Sequence, residues 1–162
     1  MDGDIEEEAR EPRPLTSRPR STASIAGQPL YPMLSPFPIA FFVAAFVTDW
    51  LYMHSGILQW QYFSIWLITA GLIIGGLSVL ALLVDFFGDR SVRAIRPAGW
   101  HLGVVIVIML LELLNAFVHS RDGWVAVVPQ GILLSGICVL LLIVSGILGS
   151  SLTYRHGLGV RA

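Results

Sequence analysis

The chain alternates between long apolar stretches and short polar ones. No charge occurs between Arg20 and Asp49, and an apolar run opens near Pro36-Phe37-Pro38. It predicts a first membrane span over roughly 37–54, its prolines suited to a first helical turn. A second run predicts a span over 63–87, a third over 99–119 after Pro97, and a fourth over 126–152 with Pro129 near its start. Each holds about 20 apolar residues, enough to cross a hydrocarbon core of about 30 Å. Lipid offers the backbone no water, so runs of this length form helices rather than barrel strands. The connections are short, about 8, 11 and 6 residues, which sets consecutive helices side by side. The expected fold is therefore all-α: an integral membrane antiparallel four-helix bundle over residues 31–162, preceded by a tail over 1–30.

Composition sharpens that picture. Hydrophobic residues make up 55% of the 162 positions and charged residues only 13%, about half the share of a soluble domain. Residues 1–34 hold 10 of the 21 charged side chains, so the other 128 residues share 11. A soluble domain of this size could not cover so much apolar surface, which argues against a soluble enzyme. All ten basic residues are arginine and the net charge is −1, so no basic field exists to attract nucleic acid. The six acids and four arginines before residue 21, mixed with prolines and small polar residues, read as a disordered tail. The acidic start, with its first apolar run near residue 36, is not that of a signal peptide. Cys138 stands alone in an apolar run and reads as a small buried hydrophobe.

The arginines give an orientation. Nine of ten fall in the two tails or the second loop, and only Arg121 falls on the other side. The positive-inside rule then places both termini in the cytoplasm of a bacterial inner membrane. Trp50, Tyr52, Trp60, Tyr62 and Trp124 would lie at the outer interface, and Trp100 and Tyr154 at the inner one. Small residues four apart, Gly71 with Gly75 and Gly131 with Ser135, predict close helix packing, as do Ser145, Gly146, Gly149 and Ser150.

Two groups of polar residues carry the candidate chemistry. In the third span His101, Glu112, Asn115 and His119 project within roughly 60° of one another on one helix face. That face must turn inward, since a lipid-exposed glutamate is expensive. Asp49 of the first span would reach Asn115 or His119 at the same depth. The plainer reading is a satisfied cluster that fixes helix register; the alternative is a proton or ion path through Asp49, Glu112 and His119. The second group gathers Tyr31 and Pro32, Asp85, His101 and His156 at the cytoplasmic end. Imidazoles from two helices there could ligate a haem iron, with Asp85 bonding one ring. Against that stands a pair of interfacial histidines bonded to lipid phosphate and loop carbonyls. No catalytic residue and no complete metal motif is found.

These residues also resemble a known family. Tyr31-Pro32, Phe37-Pro38-Ile39-Ala40 and Asp49 resemble the opening of an uncharacterised bacterial four-helix membrane family, domain of unknown function family 2231. Asp85 closing span 2, Trp100-His101 opening span 3, Asn115, and the terminal run from Tyr154 through His156 to Val160 continue the likeness, which covers about 27–161. Some members look fused to Rieske-type iron–sulfur domains, which implies electron transfer in the membrane as a setting. This chain itself lacks the paired cysteines and histidines of such a centre. Tyr31 stands where the family usually has histidine, and Ser150 where it usually has glycine.

Three functions follow as expectations. The first is a non-catalytic subunit or scaffold of a membrane assembly, with the lipid bilayer and a second copy or a membrane redox partner around it. The second is a haem-b or quinone-linked electron-transfer subunit using His101 and His156. The third is a small proton or ion carrier using Asp49 and Glu112.

Overall fold

The computed structural model describes residues 22–121 and 123–156. The chain enters through a two-residue hairpin, β1 (Ser24–Ile25) paired antiparallel with β2 (Gln28–Pro29). Ala26 and Gly27 at its tip both have positive φ, 49° and 73°, the pairing that a tight hairpin turn requires. The last part of the expected tail is therefore structured, and the hairpin is tethered. The Ala23 N–H donates to Asp85 Oδ1 at 2.7 Å, far along the sequence.

Among the described residues six α-helices follow: α1 (Leu30–Leu34), α2 (Pro36–Ser55), α3 (Leu58–Gly88), α4 (Arg90–Arg93), α5 (Arg96–His119) and α6 (Gln130–His156). α1 with α2, α3, α5, and the segment from Trp124 to Tyr154 are each long and apolar enough to cross a membrane. Proline opens both α2 and α5, where its missing N–H costs nothing. Gly56 ends α2 in the left-handed region (φ 65°), its N–H returning to the Tyr52 carbonyl at 2.8 Å. α3 begins two residues later, not the eight expected, because the polar stretch 58–62 is helix: Gln61 and Ser64 point inward. Asp89 caps α4 by accepting the Ser91 N–H at 2.8 Å. The fourth span also differs. A single 3-10 turn, Gly123–Ala126, precedes α6, whose regular helix starts at Gln130, just after Pro129.

The outward and inward faces reverse the usual soluble pattern. Trp66 (73% exposed), Trp100, Phe117, Leu140 and Ile147 face outward, as lipid contact requires. The buried positions of α3 are Gln61, Ser64, Ile68, Gly71, Gly75, Ser78, Ala81 and Asp85, a seam recurring every three or four residues. Those of α5 run Ala98, His101, Leu102, Ile108, Glu112, Asn115 and His119. Lipid tails are as apolar as leucine, so association rests on close packing and polar contacts, and small residues serve both. The Phe42 ring lies against Gly71, and a Cβ at Gly75 would stand 2.8 Å from Met109 Sδ. Tyr52, expected at the outer interface, turns in and packs on Ala126 and Val127. Trp50, Tyr62 and Trp124 remain about half exposed. Along α2 and α3 the contacts pair Thr48 with Ser64 and Phe42 with Gly71, one number falling as the other rises.

Candidate functional site

Two polar groups stand within the helices, and they differ in kind. The first joins α2, α5 and α6. Asp49 sits in the penultimate turn of α2, while Glu112, Asn115 and His119 occupy successive turns of α5 at spacings of three and four. All four are fully buried. His119 Nε2 lies 2.8 Å from Asp49 Oδ1, and Nδ1 lies 3.0 Å from the Asn115 carbonyl. Both ring nitrogens thus face oxygens, and the pairing with Asp49 lowers the cost of placing either group in hydrocarbon.

Ser135 of α6 completes the network. Its hydroxyl donates to Asp49 Oδ2 at 2.6 Å and accepts from Asn115 Nδ2 at 2.9 Å. Asn115 Nδ2 also donates to Glu112 Oε2 at 3.2 Å. An unbroken path therefore runs Glu112–Asn115–Ser135–Asp49–His119. Cys138, one turn beyond Ser135 on α6, is fully buried, as expected of a small hydrophobe. Gly131 makes room for His119: a Cβ there would stand 2.7 Å from both His119 Cε1 and the Ala126 carbonyl. A second tie lies one turn away, where Thr48 and Ser64 hydroxyls meet at 2.7 Å.

The second group opens to a cleft of about 260 Å³ at the other end of the helices. Tyr31, in α1, brings its hydroxyl to 2.6 Å from His101 Nε2. His101 Nδ1 lies 3.1 Å from the Ser145 carbonyl and 3.4 Å from the Ser145 hydroxyl. Asp85 also lines the cleft, its carboxyl holding the Ala23 N–H. Tyr31, Asp85 and His101 thus line one cleft. His156 closes α6, but its side chain lies outside the described residues, as does the terminal run from Gly157.

Haem fits this group poorly. Both nitrogens of His101 are already engaged, so an iron would have to displace Tyr31. A cleft of about 260 Å³ also falls below the roughly 300–1,000 Å³ of pockets that enclose drug-sized ligands, and the macrocycle is larger than most of those. Among the described residues, no group of three or more histidine, cysteine, aspartate or glutamate side chains could hold a metal ion.

The sequence named Ser135 and Ser145 only as packing residues, yet each bridges a histidine or carboxylate of another helix. Their signal was present: Gly131, Ser135, Cys138, Ser145 and Gly149 recur at helical spacing along one face of α6.

A family model described as a predicted membrane protein, domain of unknown function 2231, matches residues 27–162. No curated protein and no solved structure matches the chain.

Proposed function

The chain belongs to the DUF2231 family of predicted membrane proteins, and within it we propose a non-catalytic subunit or scaffold of a membrane assembly, its four spans locked by a sealed polar core. One observation carries this reading. Asp49, Glu112, Asn115 and His119 are fully buried and tied to one another through Ser135, and none of them lines the cleft at Tyr31 or the smaller cavity beside it. A conduction path needs water or a hand-over site beside its carboxylates; this network instead spends its hydrogen bonds linking α2, α5 and α6. That weighs against the carrier reading. Reconstituted in proteoliposomes, the protein should pass protons no faster than protein-free vesicles. A flux above that level that disappears in Glu112→Gln would overturn the proposal. In native membranes the chain should migrate within a larger assembly, and migration as an isolated chain would remove the subunit role.

A second reading, an electron-transfer subunit, is favoured by the Tyr31–His101 couple at the mouth of an apolar cleft. With haem fitting poorly, its ligand would be a quinone. A Soret band in protein purified from haem-replete cells would restore the haem version.

A further inference from the structure

We propose that the cleft between α1, α3 and α6 binds the headgroup of a membrane quinone, in both its oxidised and its quinol form, with Tyr31 as the contact that reads it. The idea rests on the electron-transfer reading for its purpose, and on three features of the cleft for its chemistry.

The first is the character of its walls. The walls, including Ile39, Leu82, Phe86 and Leu152, suit a ring and the start of an apolar tail.

The second is the two-way character of the tyrosine–histidine couple. With the proton on His101 Nδ1, that nitrogen donates to the Ser145 carbonyl, and Nε2 accepts the Tyr31 O–H. The Tyr31 oxygen then has a lone pair for a quinol hydroxyl. With the proton on Nε2, the ring donates to Tyr31, and Nδ1 accepts from the Ser145 hydroxyl 3.4 Å away. The Tyr31 O–H is then released to donate to a quinone carbonyl. Both arrangements contain the same number of protons and keep both ring nitrogens of His101 partnered. Ser145 supplies a carbonyl for one state and a hydroxyl for the other. A ligand that interconverts between carbonyl and hydroxyl is the class this pair can follow.

The third is an orphaned hydroxyl. A smaller cavity of about 40 Å³ adjoins the cleft, sharing Tyr31, Ser35, Ile39 and Ser145 with it. Ser78 lines this inner space, is 3% exposed, and its hydroxyl has no hydrogen-bond partner. A buried hydroxyl left unpaired costs about 1–3 kcal/mol. A second oxygen on the ligand head, reaching inward past Tyr31, would satisfy it.

The test uses the full chain in detergent micelles, titrated calorimetrically with a decyl-tailed benzoquinone and with its quinol. Both should bind saturably, with affinities within about threefold of each other. Tyr31→Phe keeps the ring and removes the hydroxyl, and should weaken both about tenfold, as loss of one hydrogen bond allows. Gly146→Leu supplies the second variant. Gly146 lines the cleft and a Cβ there meets nothing within 4 Å, so the larger side chain should block binding while the unfolding temperature stays unchanged. Heat no greater than in empty micelles overturns the proposal, as does wild-type binding by Gly146→Leu. Equal displacement by an uncharged diacylglycerol also overturns it, since the cleft would then take neutral lipids at large. Binding lost in Gly146→Leu supports the site even where the bound quinol reduces no added one-electron acceptor, a result that would remove only the electron-transfer reading.

Discussion

The two polar groups use nearly the same residue types and reach opposite outcomes. Around Asp49, a carboxylate, a histidine, an amide and a serine bond to one another in the interior, fully buried, with Glu112 Oε1 and Asn115 Oδ1 left without a partner. Around His101, a histidine, a tyrosine and a serine make a couple of similar length, but one side of it faces a cleft. The difference arises from what α6 presents at each level. Opposite Asp49 it offers the Ser135 hydroxyl and, at Gly131, a gap that the His119 ring fills. Opposite His101 its Gly149 takes the histidine ring, a Cβ there standing 3.3 Å from His101 Cε1, but Gly146 and Ser150 beside it are small and leave the cleft open. Side-chain volume on the facing helix, not the polar residues themselves, decides whether such a group becomes a tie or a site.

The strongest way to break this contrast is Asp49→Ala. It would leave His119 Nε2 and the Ser135 hydroxyl without their partner. Removing one member of a buried pair costs on the order of 3–5 kcal/mol, so unfolding in detergent should show a loss of that size. An effect of about 1 kcal/mol or less would mean that the network is not what holds α2 to α5 and α6. Gly131→Ala acts on the same network by volume alone. Its added methyl would meet a histidine ring carbon and a backbone carbonyl at 2.7 Å, and overpacking of that kind costs about 1–3 kcal/mol. Should the alanine variant unfold as the wild type does, the fit of His119 into α6 is looser than the geometry states.

Much of this was legible in the sequence, and the reasons are specific. The four spans follow from hydropathy, because lipid imposes length and backbone satisfaction on every crossing. The inward face of α5 follows from helical periodicity, since His101, Glu112, Asn115 and His119 share one side and lipid excludes it. Pairing Asp49 with His119 needed only depth. Serines escaped notice because a hydroxyl in an apolar helix normally returns its hydrogen bond to its own backbone. Only the facing helix shows that Ser135 and Ser145 do otherwise. The start of α3 is hidden in the sequence because Gln59, Trp60, Gln61 and Tyr62 have the polarity of a loop, and only the burial of Gln61 against the other helices makes them helix. The hairpin at residues 24–29 rests on the Ala23 contact with Asp85, which no local pattern announces.

Smaller effects belong to the open group, and they sharpen the comparison from its other side. Tyr31→Phe deletes the hydroxyl that meets His101 at 2.6 Å. The histidine keeps Ser145 on its other nitrogen, and the half-open cleft lets solvent or ligand replace the lost partner. A hydrogen bond of this kind contributes about 0.5–1.5 kcal/mol, so the variant should sit at the low end of that range in ligand-free unfolding measurements. Comparing it with Asp49→Ala on one apparatus turns the structural contrast into a ratio, expected at about threefold or more in favour of the sealed group. Near-equal losses would show that the Tyr31–His101 couple is itself a structural tie, and the cleft beside it an incidental gap. A stability loss near zero joined to a binding defect would be the signature of a side chain kept for what it touches outside the chain.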